Sequence, residues 1–252
     1  MRILAIANQK GGVGKTTTAM NVAACIALAD QRCLLIDIDP QGNATSGLGV
    51  PRERNGGTHS TLFAPPQAAS ALRDTDVDGL RLLPATRHLA STERELSHLP
   101  DGPLRLRKAI EHVGADFQYV LIDCPPSLGL LPVNALSAAD AVIIPIQCEY
   151  YAMEGLAQML DLIRHVRERY NPRLGVEGIL FTMYQPGLPY ADEVADEVRY
   201  HFPEQVYRRT IPRDTLLSEA PSHGKPIIDY APRSLGAYSY VQLTKEVLAH
   251  ES

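Results

Sequence analysis

A chain of 252 residues, 45% hydrophobic and 21% charged, has the balance of an ordinary globular protein and enough length for one large α/β core. A formal net charge of −5 excludes a surface coated in basic residues, although a local basic patch stays open. Four cysteines without a Cys-x-x-Cys pair, no basic-then-apolar leader and no run near the ~18 apolar residues of a spanning helix lead to the expectation of a reduced, cytoplasmic protein away from membranes.

The first element is an apolar strand over residues 3–7. It feeds Lys10-Gly11-Gly12-Val13-Gly14-Lys15-Thr16-Thr17, a glycine-rich turn opening a helix over residues 16–29. Such a turn aims backbone N–H groups and a helix N-terminus at one anion, and glycine leaves no side chain between backbone and phosphate. Lys15 is placed to reach the terminal phosphates, and the Thr16 hydroxyl to complete a Mg²⁺ shell. The common G-x-x-x-x-G-K-[ST] pattern wants glycine where Gln9 stands, and a second lysine, Lys10, opens the loop.

A second strand, over residues 33–38, runs into Asp37-Ile38-Asp39-Pro40-Gln41-Gly42-Asn43. Strand alternation puts the two carboxylates on one side. Asp39 lies nearer the loop and is assigned the water-positioning role and a possible hold on the metal, while Asp37 is assigned a supporting one. Pro40 and Gly42 mark a turn able to move when a γ-phosphate leaves. Residues 65–71, starting Pro65-Pro66, read as a surface excursion. A strand over 80–84 and a helix over 104–113 follow. The strand over 119–123 ends in Asp123, a carboxylate that would hold Mg²⁺ directly or through water. Strands over 141–145 and 176–183 alternate with helices over 153–170 and 190–202, and a helix over 234–250 closes the chain. Near-continuous apolar strands separated by helices predict a mostly parallel twisted sheet of the P-loop NTPase type, covered on both faces, in a single domain spanning 1–252. Ligands then sit at the carboxyl ends of the strands.

Taken together, the loop with its extra lysine, residues 37–43, Ile122-Asp123-Cys124-Pro125-Pro126-Ser127 and Ser218-Glu219-Ala220-Pro221-Ser222-His223-Gly224-Lys225-Pro226 resemble the ParA/Soj partition ATPases over nearly the full length. The resemblance implies a Mg²⁺-dependent ATPase that pairs into a homodimer with ATP. Lys10 would reach the partner's nucleotide, and Gly11, Gly12, Val13, Gly14, Lys15, Thr16 and Thr17 would cradle the phosphates. Asp39 would support hydrolysis, with Thr16, Asp39 and Asp123 at the metal. Adenine is expected near Met183 and the Ile211-Pro212-Arg213-Asp214 segment, including Pro212 and Asp214. A ParB-like partner with a basic arm would stimulate slow hydrolysis.

DNA binding is the family property least supported by these residues. Arginines that the family carries in two stretches are absent here: one stretch reads Tyr184-Gln185-Pro186-Gly187-Leu188, and the other has Asp214 and Leu216. Arg199, Arg208, Arg209 and Arg233 are the remaining candidates for a nucleoid-associated surface. Two rivals remain: a ParA-like switch that positions a protein cargo, and a small-molecule ATP-dependent synthetase. Division-site regulators resembling MinD use a basic amphipathic C-terminal helix, which residues 239–252 lack. Iron–sulfur carriers need cysteines paired across a dimer, and Cys124 and Cys148 have no evident second partner.

Overall fold

The computed structural model describes residues 1–54 and 56–250; Asn55 and the last two residues of the C-terminal segment, Glu251 and Ser252, lie outside the described residues. Apolar runs without polar alternation have no face to leave in water, so they become strands covered on both sides. These are β1 (Arg2–Ile6), β2 (Cys33–Asp37), β3 (Arg73–Asp74), β4 (Leu80–Leu83), β5 (Tyr119–Asp123), β6 (Ala141–Ile146) and β7 (Gly175–Phe181). Their order is β3-β4-β2-β5-β1-β6-β7. All neighbours run parallel except the short edge strand β3, which is antiparallel to β4. Six strands fall where the apolar runs place them, and the last stops at Phe181, before Thr182 and Met183.

The helices are α1 (Lys15–Leu28), α2 (Asn43–Gly47), α3 (Gly57–Phe63), α4 (Ala68–Ala71), α5 (Leu89–Leu96), α6 (Arg105–Val113), α7 (Leu130–Ala138), α8 (Ala152–Arg169), α9 (Pro189–His201), α10 (Thr215–Glu219), α11 (Ile227–Tyr230) and α12 (Leu235–Ala249). Strand alternation divides them. Leu4, Ile6, Leu35 and Leu121 pack under α1, α11 and α12, while Ala5, Leu34, Ile36, Val120 and Ile122 pack under α3 to α9. Residues 65–71 depart from the expected surface excursion. They form a 3₁₀ turn and α4, with Pro65, Ala68 and Ala71 buried, because the small side chains pack against α6. The Ser234 hydroxyl accepts from the Ala237 N–H and fixes the start of α12. Among the described residues, no helix is long and apolar enough to cross a membrane.

Candidate functional site

Three strand ends converge at the carboxyl edge of the sheet. The register sets Asp123 of β5 beside Ile6 of β1 on one side and beside Asp37 of β2 on the other. The glycine-rich loop therefore leaves β1 next to both acidic strand ends.

Within the loop, Gly12 and Gly14 hold φ of +77° and +80°, where a side chain is strained. Gly14 caps α1, and no side chain among the described residues caps that helix, which leaves its first N–H groups open to an anion. Two buried side chains brace the loop from outside. Asn8 accepts from the Lys10 N–H at 3.0 Å and donates to the Pro145 carbonyl at 2.8 Å. Thr182 donates to the Val13 carbonyl at 2.8 Å. Lys15 is buried, and its Nζ donates to the Lys10 carbonyl at 2.8 Å. Burial pulls the Lys15 pKa down against the nearby carboxylates of Asp123 and Asp39. An anion in the loop would supply the charge that keeps this ammonium protonated.

The two aspartates at the end of β2 have separate fates. The strand ends at Asp37, so Asp39 already lies in the turn and the alternation argument stops short of it. Asp37 accepts from the Asp39 N–H at 3.1 Å, the Thr45 N–H at 2.8 Å and the Thr45 hydroxyl at 2.7 Å. Burial pushes its carboxyl up to about 6 in spite of those bonds. Asp37 thus ties β2 to α2 and has little capacity left for a ligand. Asp39 accepts from the Gln41 N–H at 2.8 Å and lines a cavity of about 360 Å³ with Gly11, Lys15, Thr16 and Asn43.

Asp123 lies next to Thr16 and Lys15 of that cavity's wall. It is fully buried; the Thr16 hydroxyl approaches its carboxylate, but among the described residues neither oxygen has a hydrogen-bond partner of ordinary geometry. Burial, then the Asp37 charge, raise its pKa well above the usual range, while Thr16 and Lys15 pull the other way. A buried carboxylate so weakly bonded costs ~1–3 kcal/mol or more unless something arrives to pair it. A hydrated Mg²⁺ held at Thr16 suits these oxygen donors. No group of three or more His, Cys, Asp or Glu among the described residues is arranged to hold a metal unaided. A metal here would have to arrive with phosphate oxygens completing its shell.

A second cavity, of about 260 Å³, adjoins the first and shares Gly14, Thr17, Met183 and Ser218 with it. Met183, Pro212 and Asp214 all lie on its wall. Met183 takes φ +50°, and its sulfur accepts from the Gln147 side-chain amide at 2.9 Å. Both Asp214 oxygens are engaged, by the Leu216 N–H and the Gly236 N–H, each at 3.0 Å. Asp214 therefore shapes the wall, and each oxygen keeps a further lone pair.

Lys10 points away from the phosphate cavity, and its Nζ pairs with Glu149 at 2.8 Å. Beside it opens a cavity of about 520 Å³ lined by Gln9, Lys10, Leu128 and Tyr151. The four candidate DNA contacts are exposed but spread along the chain. Arg199 pairs with Asp196 at 3.1 Å and sits 5.1 Å over the Phe181 ring, and Arg209 lies 3.7 Å from Glu246. Arg208 and Arg233 form no ion pair among the described residues. All four cysteines are free and buried. Sequence reasoning marks Asn8 as the functional-looking end of the first strand and misses Thr45, Gln147 and Thr182. Of these only Thr182 carries a signal, a polar residue directly after a buried strand.

Strand, glycine loop, buried lysine and two acidic strand ends on a parallel sheet define a P-loop ATPase. A family model described as an AAA domain matches residues 1–176. The sporulation initiation inhibitor protein Soj of Bacillus subtilis is 49% identical over 250 residues, covering 99% of each chain. The chromosome partitioning protein ParA of Myxococcus xanthus is 48% identical over 252 residues, 100% of this chain and 89% of that one. Among solved structures, cobyrinic acid a,c-diamide synthase from Mycobacterium smegmatis, with a bound ATP analogue and magnesium, matches with a TM-score of 0.87 and 36% identity, covering 100% of this chain and 96% of the other. The chain belongs to the ParA/Soj family of chromosome-partitioning ATPases.

Proposed function

We propose that the protein is an ATP-switched homodimer that hydrolyses ATP with Mg²⁺ and acts in partition in the bacterial cytoplasm. The observation that carries this reading is the buried Asp123 carboxylate, weakly bonded and set beside Thr16, next to a phosphate-sized cavity that opens into a base-sized one. Gly11 to Gly14, Lys15, Thr16 and Thr17 hold the phosphates, and Met183, Pro212 and the Asp214 wall enclose adenine. Thr16 and Asp123, with Asp39 at the edge, hold the metal, which when bound neutralises charge developing on the transferred group. Asp39 orients the attacking water.

Lys10 serves the neighbouring subunit. Its side chain faces outward, and the cavity beside it is flanked by Leu128 and Tyr151, 66% and 60% exposed, as suits a surface that a second copy covers. A lysine supplied across the dimer adds positive charge to the phosphoryl group only in the paired state, and a ParB-like activator with a basic arm would work on that state. Asp39→Ala is the test: the variant is expected to bind ATP and persist as a dimer while hydrolysis falls at least ~100-fold. Wild-type turnover in that variant would refute the role.

A second reading has its own support. Leu188 is half-exposed where the family carries an arginine, and two of the four remaining arginines are engaged with carboxylates. The same switch would then position a protein cargo with little grip on DNA.

A further inference from the structure

We infer that Arg52 is a positioning residue for hydrolysis, a strut that sets the turn carrying Asp39; the inference rests on the ATPase reading above. Asp39 is fixed from within the chain on both sides. Its N–H donates to Asp37 at 3.1 Å, and its carbonyl accepts from the Gly42 N–H at 2.9 Å. The next residue, Pro40, has no N–H to donate, and the Pro40–Gln41 peptide is held on its N–H side by the Asp39 carboxylate, at 2.8 Å. Its carbonyl is held by Arg52, whose Nη2 donates to it at 2.6 Å from the loop after α2.

Arg52 also covers Gly42. That glycine holds φ +65° and starts α2, and a Cβ added there would lie 2.8 Å from Arg52 Cζ and collide with Nε. The guanidinium therefore lies flat on the turn between Asp39 and the helix that carries Thr45, the partner of Asp37. One arginine spans both ends of the acidic turn.

The strut is incompletely bonded. Arg52 Nε is buried and has no acceptor among the described residues. A planar guanidinium held by one hydrogen bond, with a second donor desolvated and unused, is less firmly locked than a bidentate one. Such a contact can hold Asp39 in place and still yield when the turn rearranges. Moving a water-orienting carboxylate by about 1 Å costs up to ~100-fold in rate without touching the groups that bind the nucleotide.

The test uses the full-length chain with Arg52→Met, which keeps the aliphatic cover over Gly42, and Arg52→Lys, which restores a donor. Single-turnover hydrolysis, ATP affinity and hydrogen exchange are measured on each. Arg52→Met is expected to lower the rate roughly tenfold with ATP affinity within about twofold of wild type. Exchange of the Gln41 and Gly42 amides should rise at least ~5-fold while β5 and α1 keep their protection, and Arg52→Lys should recover part of both. Unchanged exchange and rate in Arg52→Met overturn the strut, as does an equal loss of ATP affinity or exchange raised throughout the molecule. If the wild type shows no Asp39-dependent hydrolysis, the ATPase reading fails, and the exchange measurement still decides whether Arg52 holds the turn.

Discussion

Asp37 and Asp39 stand two positions apart, yet the surroundings give them different chemistry. Burial raises the Asp37 pKa to about 6, whereas an aspartate in an unfolded chain titrates near ~3.9. A folded pKa above the unfolded one means that the folded protein binds more protons between those values, so stability falls as pH rises through that window. Without nucleotide, thermal stability should therefore increase as pH is lowered from about 7 toward 5, and Asp37→Asn should flatten that slope. Melting curves across this range check it; an identical slope in the variant would assign the effect to other groups. Sequence marked both aspartates, and the order in which they meet α2 separated them. Thr45 decides the matter, because its N–H and hydroxyl both go to Asp37. Nothing in the spacing announces that pairing. Lys10 shows the same limit: its place at the loop entrance was visible, its ion pair with Glu149 was not.

At the scale of elements, apolar runs gave away the central strands, since a buried parallel strand has no polar residues to hide it. The helix α7 was missed for the related reason that it is buried nearly all round. Leu131, Val133, Asn134, Ala135 and Leu136 are all buried, so no 3.6-residue polar face shows in the sequence. Asn134 betrays it only in three dimensions, accepting from the Leu106 N–H at 3.0 Å. The loop is likewise an element that depends on distant ones. Asn8 joins it to β6, and Asn8→Ala leaves the Lys10 N–H and the Pro145 carbonyl without partners. That change should cost ~1–3 kcal/mol in denaturant unfolding and weaken ATP binding. Unaltered stability and affinity would show that water replaces both bonds.

For the whole molecule, the sheet brings loop, acidic turn and Asp123 together, and nearly all of that site was legible because each part ends an apolar strand. The second cavity, which we assign to the base, was suggested only by resemblance, since Met183 is far in sequence from the segment holding Pro212 and Ser218. What the switch grips follows from surface charge, where pattern alone says least. Retention on non-specific DNA with ATP at two salt concentrations decides it. The partition reading predicts binding at low salt that weakens steeply at high salt, and a protein cargo predicts no ATP-dependent retention at either.

The claim on which the account turns is that ATP makes a pair of subunits through Lys10. Molar mass in solution, measured with ATP and Mg²⁺, with ADP and without nucleotide, tests it most directly. The wild type is expected to be a dimer with ATP alone, and Lys10→Ala, which still binds nucleotide, a monomer under all three conditions. The same mass in every condition, or an ATP dimer unaffected by Lys10→Ala, would contradict it.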